Sequence, residues 1–226
     1  MARGLFITGT DTGCGKTEIT LGLMHWLQCQ GLTVMGMKPV ASGAVRTPEG
    51  LRNDDAERIQ SQCSKEVPYE WVNPFAYESP IAPHLAAESA ERPINLQTIV
   101  EYYKRLSDMA DWVLVEGVGG WCVPLDGKST VADLVRLLDL PVILVVGMRL
   151  GCINHALLTE AHIQQSGTKQ LGWVANQVDP AMAALEGNVK TISDLIDVPC
   201  LCRVPFLSKS DPVRVGECFR NALGLL

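Results

Sequence analysis

The sequence predicts an α/β fold, a mainly parallel central sheet with helices on both faces. Short apolar runs alternate with amphipathic stretches along all 226 residues, the pattern of strands joined through helices. Runs such as Val113-Leu114-Val115 and Val142-Ile143-Leu144-Val145-Val146 show no polar alternation, which suits strands covered on both sides. The first run, Leu5-Phe6-Ile7, leads through a glycine-rich turn at 9–17, GTDTGCGKT, into a segment where Ile19, Leu23, Trp26 and Leu27 recur at helical spacing.

That strand–loop–helix unit is the setting a phosphate-binding loop needs, and it narrows the fold to the P-loop NTPase type. Glycines let successive N–H groups turn inward toward an anion, and the helix N-terminus adds partial positive charge at the same spot. Lys16 is then placed to reach the β- and γ-phosphates, with the Thr17 hydroxyl on a magnesium ion. The strict pattern has glycine five residues before Gly15, where this chain has Thr10; its glycine comes one earlier, at Gly9.

Taken in order, the expected strands are 5–8, 34–38, 112–116, 142–147, 172–176 and 200–204. Helices are expected at 18–30, 96–110, 131–138, 153–165 and 182–196. Two stretches, 39–54 and the proline-rich 67–93, read as long irregular loops of the kind that carry function. No repeat, low-complexity tract or linker divides the chain, so one domain over 1–226 is expected.

Hydrophobic residues at 47% and charged residues at 19% are an ordinary globular balance. The net charge of −6 argues against a nucleic-acid partner, and it makes each lysine of a polyphosphate site more informative. Apolar runs reach about eight residues, at 141–148, too short for a membrane span. Cys14, Cys29, Cys63, Cys122, Cys152, Cys200, Cys202 and Cys218 form no C-x-x-C pair, and the stretch Met1-Ala2-Arg3-Gly4 does not resemble a signal peptide, so none is expected. Free thiols in the cytoplasm are the expectation. Cys200 and Cys202 flank Leu201 in a buried-strand pattern and read as packing.

Candidate site residues lie where ligands of such sheets bind, at the carboxyl ends of strands. Lys38 ends the second strand; alone it reads as a surface lysine, beside a phosphate loop as a second cation. Asp54 or Asp55 opens a helix, either as its N-cap or as a magnesium ligand. Glu116 closes an apolar strand, where the second metal-holding acid of a P-loop protein belongs, and Gly117, Gly119 and Gly120 allow close approach beyond it. Asn154 reads as a helix cap beside N–H groups suited to a carboxylate. Asn176 reads either as an adenine contact or as a structural amide. None of the histidines (His25, His84, His155 and His162) is assigned to catalysis or metal.

Together these stretches resemble the dethiobiotin synthetase family. The resemblance rests on TGTDT-x-x-GKT at 8–17, KPVASG at 38–43, GLRN-x-DA at 50–56, VLVEG-x-GG at 113–120, PVILVVG at 141–147, LGCINH at 150–155 and GWVAN at 172–176. It implies a ligase that makes the cyclic urea of dethiobiotin from 7,8-diaminononanoate, CO2 and ATP, through a carbamate and a carbamic-phosphoric anhydride. It implies Mg2+ held by Thr17, Asp55 and Glu116, with Lys16 and Lys38 catalytic. Nucleotide contacts would fall on Gly13, Cys14, Gly15, Lys16, Thr17, Glu18, Asp55, Glu116, Gly117, Val118 and Gly119. Asn176, Gln177, Pro205, Phe206 and Leu207 would frame the adenine. Thr12, Lys38 and Ser42 would contact the diamine or its carbamate. Gly151, Cys152, Ile153 and Asn154 would receive its carboxylate across a homodimer interface.

Three positions depart from that pattern. Gly13 stands where relatives often carry Glu, Asn188 where some carry a Tyr that reaches the carboxylate, and Pro212 where some carry a ribose-contacting Glu. The alternatives are a regulatory or partitioning-type P-loop ATPase acting on a protein partner, an amide-forming ligase of the same superfamily, and a paralogue that binds ATP without turnover. The first usually carries a second lysine at the loop start, where this chain has Thr10 and Asp11.

Overall fold

Strand β1 (Arg3–Gly9) opens the computed structural model, which describes residues 3–220, and α1 (Lys16–Cys29) and β2 (Val34–Met37) follow. Next come β3 (Val40–Ser42), β4 (Val45–Thr47), β5 (Gly50–Arg52), α2 (Asp54–Gln62), α3 (Tyr69–Val72), β6 (Phe75–Tyr77) and α4 (Pro83–Ser89). The strand–helix alternation resumes with α5 (Leu96–Ser107), β7 (Trp112–Glu116), α6 (Val131–Leu138), β8 (Val142–Met148) and α7 (Cys152–Gln165). It ends with β9 (Gln170–Gln177), α8 (Leu185–Leu195), β10 (Cys200–Val204) and α9 (Pro212–Cys218).

Six strands form one sheet in the order β10-β9-β8-β1-β7-β2, and every pairing is parallel. All seven residues of β8 and all five of β7 are buried, so helices cover both faces and the unalternating Val/Leu/Ile runs have a physical cause. Strand β1 lies between β7 and β8, which sends successive connections to opposite sides and opens a crevice at its carboxyl end. The register sets Ile7 beside Glu116 and Met37 beside Val115, which brings the ends of β1, β7 and β2 level with one another.

The predicted strands and long helices stand, with ends moved by up to three residues. The two expected loops are instead built. Residues 39–54 hold β3 and the antiparallel β4–β5 hairpin, and 67–93 hold α3, β6 and α4. A separate parallel pair, Val40–Ser42 against Phe75–Tyr77, ties the two stretches together. Strands of three residues are too short to show a period, which is why the sequence reads as loop.

Helix caps also differ from expectation. Asn53, not Asp54 or Asp55, caps α2, its side-chain oxygen accepting the Ala56 N–H at 3.2 Å. Gly151, at φ +96°, caps α7, so Asn154 lies inside the first turn. Helices α1 and α9 meet where Gly22 faces Val215; a Cβ on Gly22 would sit 2.3 Å from a Val215 methyl, so only glycine permits this approach. No helix among the described residues is long and apolar enough to cross a membrane. All eight cysteines are free thiols.

Candidate functional site

The carboxyl ends of all six central strands face one way, and at them lies a cleft of about 710 Å³. Thr12, Gly13, Gly15, Lys16, Thr17, Glu18, Lys38, Ser42, Asp55, Glu116, Val118 and Gly119 line it. Five of these belong to two turns, the one after β1 and the one after β7, and Lys16, Thr17 and Glu18 open α1 directly behind the first.

The loop after β1 takes its shape from two glycines in the left-handed region, Gly13 at φ +80° and Gly15 at +89°. Gly15 also has no room for a side chain, because a Cβ there would meet the Asn176 amide at 2.0 Å. Asn176 braces the loop from β9, donating to the Cys14 carbonyl at 2.9 Å. Of its two readings, the structural one accounts for this bond. Cys14 itself is fully buried under the loop. Lys16 donates to the carbonyls of Asp11 at 2.9 Å and Gly119 at 2.6 Å, which joins the β1 and β7 turns. An ammonium has three N–H bonds, and two neutral carbonyls leave its positive charge uncancelled at the cleft wall.

Lys38 is held differently. Its ammonium donates to Asp55 at 2.9 Å and to Glu116 at 2.5 Å, and Glu116 is wholly buried. Burial works against the Lys38 charge, but the Glu116 and Asp55 carboxylates outweigh it and hold its pKa above the usual lysine value. Burial also works against the Asp55 charge, and Lys38 again prevails, keeping that carboxyl below its ordinary range. Backbone bonds fix the lysine from the proline-rich stretch: its N–H donates to Val72, and the Asn73 amide donates to its carbonyl at 2.6 Å. The surface-lysine reading is excluded.

The neighbouring atoms suit a magnesium ion. Thr17 Oγ1 donates to Glu116 Oε1 at 2.9 Å, while Glu116 Oε2 is buried without a protein partner. Asp55 completes an all-oxygen set. Among the described residues no three His, Cys, Asp or Glu converge on one point. Two carboxylates and a hydroxyl match a hard cation that completes its octahedron with water and phosphate oxygens.

Thr12 and Ser42 both line the cleft, and the Ser42 hydroxyl is buried without a partner, a polar atom left for a ligand. Gly117 and Gly119 shape the turn after Glu116; a Cβ on Gly117 would press on Phe6 at 2.9 Å. A second cavity of about 160 Å³ includes Gln177 and Pro205, and the Phe206 N–H donates to Gln177 Oε1 at 3.4 Å. Gly151, Cys152, Ile153 and Asn154 stand outside the large cleft. Asn188 is engaged with its own helix, donating to the Ala184 carbonyl at 2.9 Å, and Pro212 opens α9.

Two clusters escape sequence reasoning. Asp11 pairs with Arg149 at the end of β8, and His155 lies 3.9 Å from the same oxygen. Glu18 meets Arg58 and Ser210 at the cleft mouth. Their members stand 138, 40 and 192 residues apart, so no local spacing signals them.

Comparisons with known proteins bear on the fold and the family. A family model described as an AAA domain matches residues 3–214. The chain is 18% identical, at a TM-score of 0.55, to the septum site-determining protein MinD complexed with Mg-ADP from Pyrococcus horikoshii OT3, covering 100% of this chain and 89% of that one. It is 15% identical, at a TM-score of 0.60, to a chain of the Aquifex aeolicus MinC:MinD complex, with 99% and 96% covered. These likenesses establish the fold alone. Sequence relatives go further. The ATP-dependent dethiobiotin synthetase BioD of Pseudomonas paraeruginosa (strain DSM 24068 / PA7) is 50% identical over 212 residues, 93% of each chain. That of Cellvibrio japonicus (strain Ueda107) is 49% identical over 206 residues, 91% of this chain and 90% of the relative. With half its residues shared along nearly the whole length, the chain belongs to the ATP-dependent dethiobiotin synthetase family.

Proposed function

We propose that this chain, working as a single domain, is an ATP-dependent ligase that closes the cyclic urea of dethiobiotin from 7,8-diaminononanoate and CO2. One amine of the diamine adds to CO2 and loses a proton, giving a carbamate. A carbamate oxygen attacks the γ-phosphorus of ATP, and ADP leaves. The second amine attacks the carbamoyl carbon and expels phosphate, which closes the ring.

The observation that carries this reading is that Lys16 and Lys38 line one cleft together with Thr17, Asp55 and Glu116. Bringing a carbamate up to a triphosphate opposes two anions, and fixed cations are the largest lever a protein has on such a transition state. Lys16 offers a charge held by neutral partners, two carbonyls and the Cys14 sulfur, with no carboxylate among them. Lys38 stays an ammonium at any physiological pH. Thr17, Asp55 and Glu116 are the residues that would hold Mg2+, which when bound offsets phosphate charge. Thr12 and the unpartnered Ser42 hydroxyl take the amine and carbamate side of the cleft.

The carboxylate of the diamine is read across a homodimer. In support, residues 151–154 lie outside the chain's own large cleft, and Leu150 and Leu158 beside them are 98% and 64% exposed. Free thiols and the acidic balance suit the cytoplasm.

The test is phosphate release with the diamine, bicarbonate, Mg2+ and ATP, each omitted in turn. All four should be required, with dethiobiotin as product by mass. Phosphate release that ignored the diamine would overturn the reading in favour of a plain ATPase.

A further inference from the structure

A nucleotide has its ribose between base and phosphates, and here one acidic side chain, Glu18, links the phosphate loop to the segment after β10. Glu18 directly follows Lys16 and Thr17 of the phosphate loop and lines the large cleft. Its carboxylate reaches to Ser210, three residues beyond Leu207 in the segment between β10 and α9. We propose that Glu18 reads the ribose hydroxyls of the bound nucleotide, clamped in place by Arg58 and Ser210. The assignment rests on the reading of the cleft as an ATP site.

The clamp is a closed triangle. Arg58 Nη2 donates to Glu18 Oε1 at 2.5 Å and to Ser210 Oγ at 2.6 Å, and Ser210 Oγ donates to Glu18 Oε2 at 2.6 Å. Each carboxylate oxygen accepts two hydrogen bonds, so one acceptor direction per oxygen is left after the clamp. A fixed carboxylate with two free acceptor directions matches a vicinal diol, the pairing by which an acid recognises ribose elsewhere. The guanidinium matters for charge as well. An uncompensated carboxylate one residue past the loop would repel the phosphates that Lys16 attracts, and Arg58 cancels that repulsion. Arg58 also stands one helical turn from Asp55, 4.0 Å away, so the clamp joins the ribose end to the metal-holding helix. Arg58 is therefore a positioning residue, and Glu18 the one that touches the nucleotide.

Equilibrium binding of ATP and of 2′,3′-dideoxy-ATP to the full chain, with Mg2+, tests the assignment. The wild type should hold ATP roughly tenfold to a hundredfold tighter, the scale of a hydrogen bond to a charged group. In Glu18→Ala the two affinities should converge, with dideoxy-ATP still bound as the sign of an intact cleft. Arg58→Ala should shrink the ratio and Arg58→Lys should restore much of it, which a purely architectural salt bridge would not do. A ratio kept in Glu18→Ala, or absent from the wild type, overturns the proposal while leaving the ATP site standing. A wild type that bound neither nucleotide would instead bring down the reading of the cleft itself.

Discussion

The phosphate end of the cleft and the separate small cavity proposed to take the base are built on opposite plans. At the phosphate end Lys16, Lys38 and Glu116 are buried, each with two or more partners, and glycines fix the backbone. At the proposed base end the cavity beside Gln177 and Pro205 is small, the neighbouring Phe206 is 40% exposed, and the Phe206–Gln177 hydrogen bond is a long one. Charge must be placed before the reaction begins, because reorganising it during the step costs rate. An aromatic base, recognised by shape and apolar contact, tolerates an adjustable wall.

If that contrast holds, substitutions should grade steeply from one end to the other. Lys16→Ala should have the largest effect, a loss of about 10³-fold in turnover at saturating diamine, the upper range for one transition-state donor. Lys38→Ala should lower turnover at least about 10²-fold. It should also cost about 3 kcal/mol in denaturant unfolding, because it leaves the buried Glu116 carboxylate without its cation. Lys16, bound to neutral carbonyls, should show no comparable stability loss. Equal stability losses in the two variants would erase the distinction between them. Glu116→Gln should raise the Mg2+ concentration needed for half-maximal turnover, and an unshifted titration would move the metal elsewhere.

A smaller effect lies on the acid side. Asp55 titrates below its ordinary 3.8 in the folded chain, so its pairing with Lys38 stabilises fully above that value. The contribution fades as pH falls through the lowered pKa, and Asp55→Asn should flatten that part of the acid-unfolding curve. The smallest effect belongs to the base end: Phe206→Ala should change stability by less than about 0.5 kcal/mol. A loss on the scale of Lys38→Ala would show that this end is preset too.

What was legible in the sequence follows the same physics. The central strands could be read because burial on both faces demands unbroken Val, Leu and Ile, a local and repeated requirement. Lys38 and Glu116 could be read because a strand's end dictates where its last side chain goes. Strands β3 and β6 could not, since three residues carry no period and their pairing spans two stretches of chain. Helix α9 left a usable signal, Asp211 capping with Pro212 at the first position, which the sequence reading passed over. The Glu18–Arg58–Ser210 triangle left none, because its geometry exists only after α1, α2 and the segment before α9 have packed together.

Cys14 turns the phosphate loop into its own gauge. Its thiol is sealed inside the turn, roofed by Gly9, where an added Cβ would lie 2.3 Å from the sulfur. Alkylating reagents can reach it only when the turn comes apart, so the pace of its labelling, read by peptide mass spectrometry, clocks loop opening without any engineered label. Nucleotide that grips the turn should slow that clock.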